Sequence, residues 1–216
     1  MQEIYIYGCG GVGCELAESF FSSDQYQLMG FIDDNPGIRE CMGVPSKTLD
    51  ELLTERKPEE LHVVISFGEP SVRKMVSETV KRAGIKELTV DLSSHFNPRF
   101  SSAEAGTILH SFSYVSVNAH VGRCCLINKY VLVGHDCRIG DYCVLSPKVL
   151  LGGDVKVGDN TFIGAGAVIR NGITIGKNAI IGMGSSVIHD VEDDTVVAGN
   201  PARFIRKNES KMVFCR

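Results

Sequence analysis

The chain lacks an excess of either charge: 22 Lys and Arg stand against 26 Asp and Glu, a formal net charge of −4. That balance leaves no electrostatic footprint for nucleic acid and no pull toward an anionic membrane surface. It also lacks any apolar run near the ~20 residues that a membrane helix needs. The opening MQEIYIYGCGG is missing the basic-then-apolar layout of a secretory leader and reads as a first strand. C-x-x-C pairs are absent, so the eight cysteines give little support for a zinc site, and no metal is expected. Without an export signal, those thiols are expected to be reduced in a cytoplasm. What the chain does have is aliphatic bulk. At 44% hydrophobic over 216 residues, it can bury the core of one large domain or two small ones.

Much of that bulk is periodic. Every sixth residue from Leu109 to Val187 is Leu, Ile or Val, fourteen positions in succession. A period of six suits neither an α-helix nor a simple strand, and it fits a parallel β-helix with three hexads to a coil. Fourteen hexads make four to five coils, stacked about 4.8 Å apart. Glycine follows the aliphatic residue at 122, 134, 140, 152, 158, 164, 176 and 182, which is expected where corners are tight. Two residues before each aliphatic stands a mostly small residue, among them Cys125, Cys137 and Cys143. These cysteines are expected inside the coils as small hydrophobes. Flat coil faces favour side-by-side association, and a homotrimer is expected.

Residues 1–92 follow another pattern. The segments 3–7, 27–33 and 61–67 read as strands, with 87–91 as a weaker fourth. Helical spacing appears between them, over 11–21 and 70–83. That alternation argues for a Rossmann-like parallel α/β sheet. GCGGVG, residues 8–13, ends the first strand and opens a helix, an arrangement that offers backbone N–H groups to a phosphate. Asp33 closes the second strand, twenty residues beyond Gly13. A dinucleotide and a nucleotide-activated sugar both suit this pattern, as does a turn with no ligand. The segment 93–106 reads as a linker, and 107–216 as the β-helix domain.

The second half resembles the left-handed β-helix of the hexapeptide-repeat acyltransferases, down to the closing VVAGNPARFIRK. Left-handedness is what that resemblance implies. The two halves together resemble the bacterial sugar O/N-acetyltransferases of the sialic acid O-acetyltransferase and PglD type. In that family the first domain binds a nucleotide-sugar and the β-helix binds acetyl-CoA. The family's H-(D/E)-C-x-I-G segment is matched by His135-Asp136-Cys137-Arg138-Ile139-Gly140. By this resemblance His135 is the general base for an attacking amine or hydroxyl, and Asp136 supports its imidazolium. Gly153, Ala165 and Met183 match acetyl-CoA contacts, and Arg203, with Arg206 and Lys207, is placed to meet CoA phosphates. Gly10, Gly11, Asp33, Asp34 and Gly68 match nucleotide contacts.

Three positions depart from the family: Val12 and Val144 replace histidines, and Glu69 replaces an asparagine. The expected activity is acetyl transfer from acetyl-CoA to the amino group of a UDP-linked amino sugar. Sugar O-acetylation and a non-catalytic, nucleotide-binding trimeric assembly protein are the alternatives. Asn118 and Asn128 suit either acceptor orientation or inter-coil ladders, the ladder being the safer reading. His110 and His120 are expected to be surface residues, and His189 a structural one. The spacing of His110, His120 and His135, by 10 and 15, does not give same-face stacking at multiples of 18, which excludes a three-histidine metal centre.

Overall fold

The structure, a computed structural model, describes residues 1–214. Residues 215 and 216, which end the expected second domain and include Cys215, lie outside the described residues. The chain divides into two compact units, 1–68 with 75–88, and 69–74 with 89–216.

The first unit carries a sheet of six strands: β1 (Gln2–Tyr7), β2 (Tyr26–Ile32), β3 (Glu40–Cys41), β4 (Val44–Lys47), β5 (His62–Ile65) and β6 (Lys86–Glu87). Their order is β3-β4-β2-β1-β5-β6. All pairs are parallel except the β3–β4 hairpin. Ile4, Ile6, Phe31, Ile32, Val63 and Val64 are buried along the central strands, as expected where helices cover a parallel sheet. Helix α1 (Gly11–Phe21) turns Leu16, Ala17 and Phe20 into that core. Gly13 lets α1 approach β1, because a Cβ there would run into the carbonyl oxygen of Gly8. Helix α2 (Leu49–Glu55) begins at a reciprocal cap in which Thr48 and Glu51 satisfy each other's backbone N–H. Helix α3 (Pro70–Arg82) opens with 69–74, which belong to the second unit.

The second unit is a stack of short parallel strands in which each residue pairs with the one eighteen positions on, such as Val115↔Val133 and Leu132↔Leu150. Three strands make one turn. The first face holds the strands at 114–115, 132–133, 150–151, 168–169 and 186–187. The second holds those at 102–103, 120–121, 138–139, 156–157 and 174–175. The third holds those at 90–91, 108–109, 126–127, 144–145, 162–163 and 180–181, and it ends in a hairpin of Thr195–Gly199 with Ala202–Lys207. With its hexapeptide repeats this is the left-handed parallel β-helix class.

The six-residue period is the core itself. All fourteen aliphatic positions are buried, and so are Cys125, Cys137 and Cys143 at the second inward position. Each fully buried Leu, Ile or Val contributes about 1.5–3 kcal/mol of burial energy. Burial is also what raises the thiol pKa of Cys125 and Cys137.

Three expectations need correction. The segment 87–91 is not one strand: Lys86–Glu87 completes the first sheet, while Val90–Asp91 pairs with Ile108–Leu109 in the coils. The expected boundary at 92 therefore moves to between Leu88 and Thr89. The segment 93–106 is not a linker, because Ser102–Ala103 pairs with His120–Val121 as part of the first coil. At the tight corners, the hexad glycines do not have positive φ. That conformation falls two residues later, at Cys124, Asp136, Tyr142, Asp154, Asn160 and Asn178 among others. The glycines are needed for close stacking: a Cβ at Gly134 would stand 2.7 Å from the Gly152 carbonyl carbon and oxygen.

Candidate active site

In the β-helix, the corner joining the first face to the second carries residues 116–119, 134–137, 152–155 and 170–173. His135 and Asp136 project from it, their side chains 58% and 49% exposed. Asp136 has φ 60°, the left-handed region in which Asp and Asn are enriched. Its Oδ2 lies 2.7 Å from His135 Nδ1. A carboxylate only accepts, so Nδ1 carries the proton and Nε2 is left as the basic nitrogen.

One coil back, Asn118 Nδ2 donates to Asp136 Oδ1 at 3.1 Å. The His135 and Asn118 hydrogen bonds, in that order, hold the Asp136 carboxyl below the usual range. Asn118 thus takes the ladder place expected of it, and the ladder ends on the carboxylate that orients the imidazole. One coil forward lies Gly153. A Cβ there would overlap His135 Cε1 and Nε2, and even Cδ2 would be 3.0 Å away.

Ala165 and Met183 lie elsewhere. They are eighteen apart and share the corner joining the third face to the first, where both are exposed. Gly166 and Gly184 beside them have open space where a side chain would stand. Within one chain, therefore, the expected acetyl-CoA contacts divide between the two edges of the first face. Arg203 is exposed on the terminal hairpin, its guanidinium on the carbonyl of Ala202. Arg206 similarly meets the carbonyl of Lys207, and Lys207 is paired with Glu192 at 3.1 Å.

In the first unit, Gly10, Gly11, Asp33, Asp34 and Gly68 gather at the C-terminal ends of β1, β2 and β5. In open α/β sheets this is the edge where ligands bind. Gly10 caps α1 without a side-chain hydrogen bond, and a Cβ at Gly10 or Gly11 would meet nothing within 4 Å. The loop is fixed from below. Asp33 Oδ2 accepts from Cys9 N at 3.0 Å and Oδ1 from Asn35 N at 3.1 Å. Asp34 accepts from the Tyr7 hydroxyl at 2.7 Å. Burial first, and then Asp34, hold the Tyr7 hydroxyl well above the ordinary phenol range.

Two of the three family departures, Glu69 and Val144, have structural roles. The buried Glu69 carboxylate accepts from the backbone N–H groups of Val213 and Phe214, at 2.9 and 3.0 Å, and from Ser71. Val144 is buried on the third face between Leu126 and Phe162. His110 is a correction: it is 1% exposed, with Nδ1 accepting from Ser111 N, and is not a surface residue. His120 is half-buried, its Nδ1 2.7 Å from Ser102 Oγ. His189 is exposed beside a cavity of about 350 Å³ near the terminal hairpin. Among the described residues no group of His, Cys, Asp or Glu is arranged to hold a metal ion. None of their helices is long and apolar enough to cross a membrane.

An α/β sheet with an open glycine loop and a hexapeptide β-helix with an outward His-Asp pair define the class. Comparison with known proteins gives the particular family. Residues 3–80 match the PglD N-terminal domain, and residues 118–153 and 154–189 each match the bacterial transferase hexapeptide of six repeats. The chain combines a PglD-type N-terminal domain with bacterial transferase hexapeptide repeats.

Solved structures agree over nearly the whole length. PerB from Caulobacter crescentus, in complex with CoA and GDP-perosamine, is 25% identical with a TM-score of 0.84, over 94% of this chain and 97% of its own. The acetyltransferase domain of PglB from Neisseria gonorrhoeae, in complex with acetyl coenzyme A, gives 25% and 0.84 over 94% and 99%. WeeI from Acinetobacter baumannii gives 29% and 0.80 over 94% and 100%. No curated protein sequence matches the chain significantly.

Proposed function

We propose that this protein transfers acetyl from acetyl-CoA to the amino group of a nucleotide-linked amino sugar, with His135 as general base. The carrying observation is the Asn118–Asp136–His135 array, seated on Gly153 at an open corner. An amine that attacks a thioester must lose a proton. His135 Nε2 is free to take it while Asp136 holds Nδ1–H and stabilises the imidazolium. Asn118 keeps the carboxylate turned toward the ring.

Acetyl-CoA supplies an activated acetyl group as co-substrate. The residues present suit a narrow, extended arm: Gly153 on one edge, and Ala165 with Gly166 and Gly184 on the other, leave the backbone open. Because these edges belong to opposite sides of the first face, one cofactor meets both sets only between two copies. The first face suits that arrangement. Its outward column of Tyr114, Leu132, Leu150 and Val168 is about 40% exposed at every step, an apolar stripe for self-association. A homotrimer accommodates this repeated contact, with His135 of one copy facing Ala165 and Met183 of the next. Arg203 near the end of that edge is placed for the CoA phosphates.

Gly10, Gly11 and Gly68 leave room for a diphosphate at the start of α1, with Asp33 and Asp34 at the ribose and base side. Uridine is the nucleotide that the PglD resemblance implies, whereas PerB was solved with a guanosine sugar. The test is mass spectrometry of UDP- and GDP-linked 4-amino sugars and their hydroxyl counterparts, incubated with acetyl-CoA. The expected result is a single acetyl added to an amino sugar and lost in His135→Ala. Transfer to the hydroxyl sugars alone would replace this reading with O-acetylation.

A further inference from the structure

Three thiols surround the glycine loop, and the proposed transfer uses none of them. Cys9 lies in the loop, Cys14 in the first turn of α1, and Cys41 at the end of β3. Cys14 Sγ and Cys41 Sγ are 3.6 Å apart. Both also approach the carbonyl oxygen of Cys9, at 4.0 and 3.9 Å. Cys9 Sγ turns away to Ser46 Oγ at 3.4 Å. All three are only half-buried, whereas Cys124, Cys125, Cys137 and Cys143 are sealed in the coils.

We propose that Cys14 and Cys41 are an oxidation site, closing to a reversible disulfide that weakens nucleotide binding at the glycine loop. With hydrogen peroxide as oxidant, one thiolate attacks a peroxide oxygen and becomes a sulfenic acid, releasing hydroxide. The second thiol's sulfur then displaces the sulfenic oxygen as water and forms the S–S bond. In sum, two thiols lose two hydrogens and one peroxide becomes two waters. Burial and then the neighbouring Cys14 thiol push the Cys41 thiol up, and the 3.6 Å separation lets either sulfur of the pair complete the second step.

The sulfurs must close from 3.6 Å to about 2.05 Å. Cys41 ends a two-residue strand at the edge of the sheet, with no strand beyond it among the described residues, so the movement falls to that edge. Closure removes both S–H groups from the Cys9 carbonyl and draws the first turn of α1 toward the hairpin. The N–H groups of Gly10 and Gly11 then leave the positions that would meet a diphosphate. This functional half rests on the nucleotide reading of the loop, while the disulfide itself does not.

The full chain is treated with hydrogen peroxide, alkylated and digested with trypsin. Cleavage after Arg39 and Lys47 places Cys9 and Cys14 on one peptide and Cys41 on the next. The expected product is a cross-link of these two peptides, cleaved by dithiothreitol, retained in Cys9→Ser and lost in Cys14→Ser and in Cys41→Ser. Calorimetric titration with UDP and GDP should then give at least about fivefold weaker binding after oxidation, reversed by dithiothreitol and absent in Cys14→Ser.

No cross-link, or one that needs Cys9, overturns the proposal. A cross-link with unchanged nucleotide affinity overturns its functional half. If reduced protein binds neither nucleotide, the loop reading fails while the cross-link still reports on the thiol pair.

Discussion

The imidazole of His135 lies on Gly153, one coil further along the same corner, in the space that a side chain at 153 would occupy. In Gly153→Ala the added methyl meets a ring on a rotatable side chain, so the ring swings aside and the fold survives. Gly134→Ala differs, because its methyl meets the backbone of Gly152 and Gly153 at 2.7 to 2.8 Å. Gly153→Ala should lose about 100-fold in kcat, in line with the cost of misplacing a reacting group, with little change in Tm. Gly134→Ala should lose about 1–3 kcal/mol of stability, as overpacking does. Acetyl-transfer kinetics beside thermal unfolding separate the two, and equal effects on both quantities in both variants would refute the distinction.

Asp136 is the anion beside the imidazole of His135. Its carboxyl is held low, first by His135 and then by Asn118. Its stabilising contacts are therefore present above the unfolded-state value and are lost only as pH falls through the lower folded value. The lowered carboxyl therefore stays charged near neutral pH, where it can face an imidazolium. Asp136→Asn should lower kcat by about 100-fold, because the imidazolium loses its neighbouring anion. Asn118→Ala should cost several-fold in kcat with the KM for acetyl-CoA unchanged. An unchanged kcat in Asp136→Asn would remove Asp136 from the mechanism.

Arg73 gives a stability test away from the chemistry. It is fully buried and donates through Nε to the Cys124 carbonyl at 2.8 Å and through a terminal nitrogen to the Cys125 carbonyl at 3.2 Å. Arg73→Ala takes a charged donor from the Cys124 carbonyl and a second donor from the Cys125 carbonyl, which keeps its ladder bond from Ile108 N, so urea unfolding should show a loss of about 3 kcal/mol. Lysine should rescue little, since one ammonium does not reproduce the planar fork. A loss below about 0.5 kcal/mol would mean that water reaches both carbonyls.

The coils were legible in the sequence because one physical demand, an aliphatic side chain pointing inward every sixth residue, repeats from Leu109 to Val187. The reason for the glycines was not: Gly134 is set by the backbone of the next coil, which has no local signature. Segment 87–91 misled because an unbroken strand-like run is shared between two units. The β3–β4 hairpin left only Met42–Gly43 as a signal, and α2 its Thr48–Glu51 cap. His135 was singled out through the H-(D/E)-C-x-I-G segment, but the hydrogen bond from Asn118 depends on its lying eighteen residues before Asp136. Glu69 looked like a departure at the nucleotide site, and its partners Val213 and Phe214 lie nearly 150 residues away.

The division of the expected acetyl-CoA contacts between two edges makes the shared site testable by mixing. His135→Ala spoils one edge of every copy, and Ala165→Arg spoils the other by placing a long charged side chain on an exposed, small-residue corner. Each homomer should be inactive. If the site forms between copies, a mixed oligomer contains contacts in which an intact His135 edge meets an intact Ala165 edge. With random assembly at equal ratio, about one contact in four is of this kind in a head-to-tail ring. Unfolding and refolding the two variants together should therefore restore roughly a quarter of wild-type activity, whereas mixing without exchange restores none. Leu150→Glu, which puts a charge in the middle of the apolar column of the first face, should abolish both the oligomer and the rescue. Full activity from a Leu150→Glu monomer, measured by light scattering and acetyl transfer on the same sample, would place the whole site within one chain.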